Sequence, residues 1–137
     1  MYNSLYFTLE ELCSNKNAKA SGLKNFPDFY QAHNLSRLCE LVLDPIRKQL
    51  GFPIYVYSGF RSQQVNARVG GVVASAHVFG CAADIYCDDM QALEVAIRQN
   101  GEWDVLIKET NDNGKVLWFH ITVPLEDTPP RRKYLKR

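Results

Sequence analysis

The chain has 137 residues, enough for one compact domain with a substantial core, and its 46% hydrophobic and 23% charged residues are ordinary for a globular protein in water. No apolar run approaches the length of a membrane-crossing helix, and the opening Met1-Tyr2-Asn3-Ser4-Leu5 lacks the basic and apolar regions of a secretory signal. The formal net charge is +1, yet Arg131, Arg132, Lys133, Lys136 and Arg137 crowd the last seven residues without an acid among them, so the rest of the chain is net acidic.

In chain order, Thr8-Leu9-Glu10-Glu11 reads as a capping box that opens a short helix. Residues 14–33, rich in Asn, Lys, Ser and Gly, read as loop, with His33 exposed in it. Leu35, Leu38, Cys39, Val42, Leu43, Ile46 and Leu50 recur at helical spacing, which predicts a helix to Gly51 that Pro45 kinks or interrupts. Ile54 to Tyr57 is β-branched and aromatic, a strand. Ser62 to Val69 suits a short helix stopped by Gly70-Gly71, and Ala82 to Cys87 a second strand. Asp88 or Asp89 then caps a helix ending at Asn100-Gly101. Val105–Lys108 and Val116–Val123 are strands around Asn111-Asp112-Asn113-Gly114, a hairpin signal.

Helices come first and antiparallel strands dominate later, so the expected class is α+β, with a small central antiparallel sheet and flanking helices. One domain is expected over residues 1–125, followed by a basic tail over 126–137. Such a tail can attract anionic wall polymers or nucleic acid, but the simpler expectation is a solvated, poorly ordered terminus without a nucleic-acid partner. The four cysteines are expected to be reduced and mostly buried. Cys81 and Cys87, at the ends of one strand, lie roughly 20 Å apart and can neither pair nor share a metal.

The chemistry concentrates on the strands. In Val116–Val123, Leu117, Phe119, Ile121 and Val123 fall on one face and supply core contacts, while Trp118, His120 and Thr122 fall on the other. In the preceding strand Cys81, Ala83, Ile85 and Cys87 form the apolar face and Asp84 points away from it. A continuous strand would hold His77 and Asp84 roughly 23 Å apart on opposite faces. They can share a metal only if the chain turns between them, and Gly80 is the residue able to make that turn. His77, Asp84 and His120 together would give two imidazoles and a carboxylate, leaving the fourth position of a zinc ion open, which is the catalytic rather than the structural arrangement.

The run Ser58-Gly59-Phe60-Arg61-Ser62, Asn66, Gly70-Gly71 and Ser75-x-His77-x-x-Gly80-x-Ala82-x-Asp84 resembles the signature of the zinc D-Ala-D-Ala carboxypeptidase family, and Trp118-Phe119-His120 resembles the strand that brings its third ligand. The likeness runs from about Tyr6 through Val123 and is nearest to short single-domain members of bacteria and their phages. It implies the small α+β fold shared with the Hedgehog signalling domain. It further implies one zinc ion on His77, Asp84 and His120, and Arg61 as the clamp for the substrate's terminal carboxylate. Ser58 and Ser75 would hydrogen-bond the substrate or the ligands, Asn66 and the glycines would shape the loop, and Trp118 would line the cleft.

Many members of the family place an acid three residues before the last ligand; here that position is Leu117, which cannot act as a base. Another branch of the fold places a glutamate before the hairpin, as in Trp103-Asp104-Val105-Leu106-Ile107-Lys108-Glu109, which makes Glu109 the candidate general base and Asp104 the reserve. With an ideal hairpin Glu109 pairs near Val116, roughly four residues along the strand from His120, so a bulge has to bring it closer. The implied activity is hydrolysis of D-amino-acid-containing peptides of bacterial peptidoglycan, either trimming a terminal D-Ala or cutting within the stem as an endolysin does. A non-catalytic zinc module for wall binding, or a structural part of a phage particle, is the alternative. A monomer made in the cytoplasm and released by a phage-type or prophage-type route to act on the cell wall is the expected setting.

Overall fold

The computed structural model of the protein describes residues 2–137. Helix α1 (Leu9–Cys13) begins at the predicted box: Thr8 accepts from the Glu11 N–H and Glu11 reaches back to the Thr8 N–H. The expected loop over 14–33 is instead broken by α2 (Lys16–Ser21), capped by Asn15, and by the start of α3 (Phe29–Leu38), which opens on a second capping box formed by Asp28 and Gln31. His33 therefore lies on a helix and pairs with Glu126 at 3.1 Å.

From Phe29 to Leu50 the helix is unbroken, but it changes pitch. A π-helical segment, Cys39–Leu43, separates α3 from α4 (Asp44–Leu50). Pro45 has no N–H for the Leu41 carbonyl four residues back, so that acceptor is orphaned inside the helix. Asn100, which caps the C-terminal end of the helix Met90–Gln99, donates to it through Nδ2 at 3.0 Å. The interruption expected at Pro45 thus takes the form of a π segment placed just before it. The buried Asp44 carboxylate ties down the N-terminal segment, accepting from Ser4 Oγ at 2.8 Å and from the Leu5 N–H at 2.9 Å.

The remaining helices are α5 (Gln63–Arg68), capped by Ser62, and α6 (Met90–Gln99), capped by Asp89. The sheet holds β1 (Tyr55–Ser58), β2 (Ala82–Tyr86), β3 (Val105–Thr110), β4 (Val116–Thr122) and β5 (Lys133–Lys136) in the order β1-β2-β4-β3-β5. The first three pairings are antiparallel, whereas β5 lies parallel to β3, so the sheet is mixed rather than purely antiparallel. The class remains α+β. The expectation of a poorly ordered basic terminus is corrected by β5: Lys133 N–H bonds to Asp104 O and Arg137 N–H to Lys108 O, and Tyr134 lies under the Arg98 guanidinium of α6, 4.3 Å from ring centre to Cζ.

One sheet face carries Ala83, Ile85, Leu106, Phe119 and Ile121, all fully buried against Leu35, Leu38, Val42 and Ile46 of the long helix and Leu93 and Ile97 of α6. All four cysteines are free thiols, and Cys39, Cys81 and Cys87 are buried. Burial pushes the thiols of Cys13 and Cys81 up to about 11 and that of Cys39 up to about 12, so they stay protonated at neutral pH and are poor nucleophiles.

Asn100→Ala should leave the Leu41 carbonyl without its side-chain donor and cost about 1–3 kcal/mol in urea unfolding, well above the effect expected of an exposed helix-end substitution.

Candidate active site

His77, Asp84 and His120 come from three separate pieces of chain, and each is placed by a local feature of the sequence. Asp84 and His120 face each other directly in the β2–β4 register, next to the core pair Ile85 and Phe119. Strand alternation turns both away from the core, and the His120 Nδ1 lies 2.9 Å from Asp84 Oδ1. His77 precedes β2, and the turn that returns it to Asp84 is made at Gly80, whose φ of +79° is left-handed. A Cβ at Gly80 would also collide with the Gln31 carbonyl, so the position demands glycine twice over. The result is His77 Nε2 at 3.4 Å from Asp84 Oδ2.

The nitrogen and oxygen donors of these three side chains all lie within 4.8 Å of one another. The donor set suits a divalent metal such as zinc, being two imidazoles and one carboxylate. His77 is nearly fully buried and its Nδ1 sits 2.7 Å from the Gly59 carbonyl. The Gly59 carbonyl fixes the His77 ring from its Nδ1 side and leaves Nε2 facing Asp84, the arrangement of a ligand imidazole oriented by its outer partner. Burial tends to raise the Asp84 pKa, but the hydrogen bonds and charges of His120 and His77 outweigh it and hold the carboxyl below the usual carboxylate range.

Gly59 has a part that no spacing in the sequence assigns to it. Its missing side chain lets the loop pass the Leu12 carbonyl, where a Cβ would clash, and the next N–H, of Phe60, bonds that same carbonyl at 2.8 Å. The Ser58-Gly59-Phe60-Arg61 run is thereby locked beside His77, and the Arg61 N–H bonds the His77 carbonyl at 3.2 Å. Ser75 Oγ accepts from the His77 N–H at 3.2 Å, and Asn66 Nδ2 holds the Val72 carbonyl at 2.7 Å, so both shape the loop that carries the ligand.

A cleft of about 570 Å³ opens beside Asp84, with Ser58, Arg61, Tyr57, Tyr86 and Trp118 among its walls. Burial lowers the Arg61 guanidinium from its ordinary value, opposed by the nearby Asp84 charge, and its Nε is buried without an acceptor among the described residues. Such a donor is open to an oxygen of solvent or of a bound ligand. Trp118 stacks on Tyr57 with ring centres 4.9 Å apart, a wall that no local sequence signal announces because the two meet across strands.

The hairpin carries the expected bulge. Thr110 pairs with Val116 but Glu109 pairs with Trp118, so one extra residue, Leu117, is taken up in β4. Leu117 is consequently 39% exposed instead of joining Phe119 and Ile121 in the core, which corrects its expected face. The bulge, together with a hairpin that closes with Asn111 against Lys115, brings Glu109 opposite Trp118 instead of Val116, two residues closer to His120, which Ile107 opposes. Glu109 is held by Arg137 at 2.8 Å. Asp104 is engaged by the Arg131 side chain through Nε and Nη2, the latter at 2.9 Å, and by the Arg131 N–H at 2.8 Å.

A mixed α+β fold that brings two histidines together with an aspartate lining an arginine-bearing cleft defines a metallopeptidase-like domain. The chain matches the family model of peptidase M15 over residues 5–116 and belongs to that family, one of zinc peptidases. The match contains His77 and Asp84 and ends before His120, which joins the cluster through the β2–β4 register. No curated protein sequence matches the chain.

Gly80→Ala should destabilise the fold by about 1–3 kcal/mol in urea unfolding, through strain at its left-handed φ and the Gln31 clash.

Proposed function

We propose that the protein is a zinc peptidase that hydrolyses D-amino-acid-containing peptides of bacterial peptidoglycan. The observation that carries this reading is the convergence of His77, Asp84 and His120 donors within 4.8 Å, beside Arg61, in a chain of the M15 family. His77, Asp84 and His120 would hold one zinc ion. When bound, zinc supplies Lewis acidity toward a carbonyl oxygen and lowers the pKa of water.

The remaining work falls to the chain's own side chains. Arg61 would grip a substrate carboxylate, for which its buried, unpartnered Nε is suited, and a planar guanidinium can make two parallel bonds to it. Ser58, buried opposite Asp84 in the β1–β2 register, would donate to the substrate backbone. The Trp118–Tyr57 stack would form the apolar wall against which the peptide lies. Glu109 would accept the proton of the attacking water and return it to the leaving amine, released from or shared with Arg137. Asp104, already engaged by both the backbone and the guanidinium of Arg131, is the weaker candidate for that proton.

A second reading is supported by one observation: both candidate bases are engaged by arginines of the C-terminal segment. A domain that keeps zinc and binds wall peptides without cutting them would show the same contacts.

Metal analysis joined to a peptidoglycan digestion assay tests the choice. One equivalent of zinc with cleavage is expected of wild type, and Glu109→Gln should keep the zinc while losing about 10²-fold or more in rate. Zinc with peptide binding and no turnover in wild type would favour the binding module, and a chain that takes up no zinc would overturn both. Arg61→Ala should raise KM roughly tenfold or more while zinc content is unchanged; equal kinetics would remove Arg61 from substrate binding.

A further inference from the structure

Three tyrosines and a tryptophan occupy the solvent side of the sheet next to the His77–Asp84–His120 cluster. Tyr55 of β1 pairs with Tyr86 of β2, their ring centres 5.4 Å apart. Tyr86 follows Asp84 on the same face of β2, and the register that sets Ile85 against Phe119 brings it beside Trp118 of β4. Trp118 in turn stacks on Tyr57, the residue that the bulge in β1 leaves without a cross-strand partner. The four rings thus form one shelf that starts at the cluster and ends on the outermost strand. Tyr55, Tyr57 and Tyr86 are 40%, 57% and 40% exposed, and their hydroxyls have no hydrogen-bond partner among the described residues. Across the cleft from Tyr57, Tyr86 and Trp118 stand Asn15 and Asn17. The Oδ1 of Asn15 accepts from the N–H groups of Asn17 and Ala18, which leaves its Nδ2 to donate elsewhere. The Asn17 side-chain amide bonds to nothing among the described residues.

Resting on the reading of the protein as a wall-peptide peptidase, we infer that the outer end of this shelf, Tyr55 with Tyr86, is a saccharide subsite. It takes the N-acetylated amino sugar to which a stem peptide is attached. A contiguous run of exposed rings beside a cleft marks a binding surface rather than scattered surface residues. Its chemistry selects the ligand. A pyranose ring presents an apolar C–H face and a rim of hydroxyls and amide. Aromatic faces carry partial negative charge and attract polarised C–H groups, while the phenol hydroxyls and the Asn15 and Asn17 amides serve the rim. An aliphatic ligand would leave every one of those polar groups without a partner. The direction of the cleft selects which part of the substrate arrives there. β1 runs from Tyr55 to Ser58 and Arg61 follows, so Tyr55 marks the end away from Arg61, about 10 Å along the strand from Ser58. With the substrate carboxylate at Arg61, the stem leads away over Trp118 and Tyr57, and its sugar-bearing end comes to Tyr86 and Tyr55. The consequence is a preference for stem peptides still joined to glycan over the same peptides in free form.

The test uses the zinc-loaded full chain and two substrates with the same D-residue-containing stem peptide. One carries an N-acetylated disaccharide on its N-terminal lactoyl group and the other carries lactoyl alone, so only the sugars differ. Cleavage is followed by mass, and binding of a peptide-free tetrasaccharide of N-acetylated amino sugars is measured by calorimetry. Wild type should show a KM about tenfold lower for the sugar-bearing substrate, with kcat within about twofold. Tyr55→Thr, which keeps a β-branched residue in the strand, should abolish that difference and the tetrasaccharide binding, while KM for the lactoyl peptide stays at its wild-type value. Tyr55→Phe should keep most of the difference, because the ring face is retained. Asn17→Ala, at an exposed position outside the sheet, should raise KM about threefold for the sugar-bearing substrate alone. Equal KM for both substrates in wild type, or a difference that survives in Tyr55→Thr, would overturn the saccharide subsite and leave the peptidase reading standing. An equal rise in KM for both substrates in Tyr55→Thr would assign the shelf to peptide and overturn the subsite likewise. Tetrasaccharide binding that depends on Tyr55, with neither substrate cut, would support the subsite and overturn the peptidase reading.

Discussion

A carboxylate without its solvent shell constrains the whole structure. Asp84 is buried, and an ionised carboxylate removed from water costs several kcal/mol unless charges and donors surround it. The compensation comes from two imidazoles on distant parts of the chain, His77 before β2 and His120 on β4. Bringing His77 there requires the left-handed turn at Gly80, and holding it there requires the Gly59 carbonyl, which in turn requires a loop that can graze Leu12. Bringing His120 there requires β4 to pair with β2 in one register, fixed by Phe119 and Ile121 in the core. The core thus determines the site by alternation: a slip of one residue would exchange His120 for an apolar side chain.

Elements with a strong local signal are legible in the residues themselves. The Thr8 box, the Ser62 and Asp89 caps, the strands around Asp84 and His120, and the turn at Gly80 each follow from residues within a few positions of one another. The Asp28–Gln31 box has an equally local signal, but the loop-like composition of 14–33 masks it. The features that stay hidden depend on partners far away in sequence. The π segment before Pro45 makes sense only once Asn100 is seen to satisfy Leu41. Leu117 fits the core pattern of its strand, and only the register with β3 reveals the bulge that expels it. The Tyr57–Trp118 stack and the ion pairs of Arg131 and Arg137 have no local precursor at all.

The C-terminal segment changes the meaning of the two acids that precede the hairpin turn. Asp104 stands just before β3 and Glu109 near its end, and the arginines that engage them bracket β5. Parallel pairing with β3 sets this spacing, because Val105 aligns with Lys133 and Lys108 with Lys136. A run of basic residues that reads as a solvated tail therefore acts as a ladder of donors along one strand. The arginine ends of these pairs stand open to solvent, which screens them, so their contribution is mainly to position.

The position of β5 also bears on how the molecule behaves in company. A five-stranded open sheet has two free borders, and an unpaired strand border invites another chain to add to it. At this border the last strand is four residues long, carries Lys133 and Lys136, and is followed directly by Arg137. Short length and like charge make it a poor template, since an identical strand brought alongside would set ammonium against ammonium. The segment that completes the sheet thus also closes one of its borders against self-templated growth.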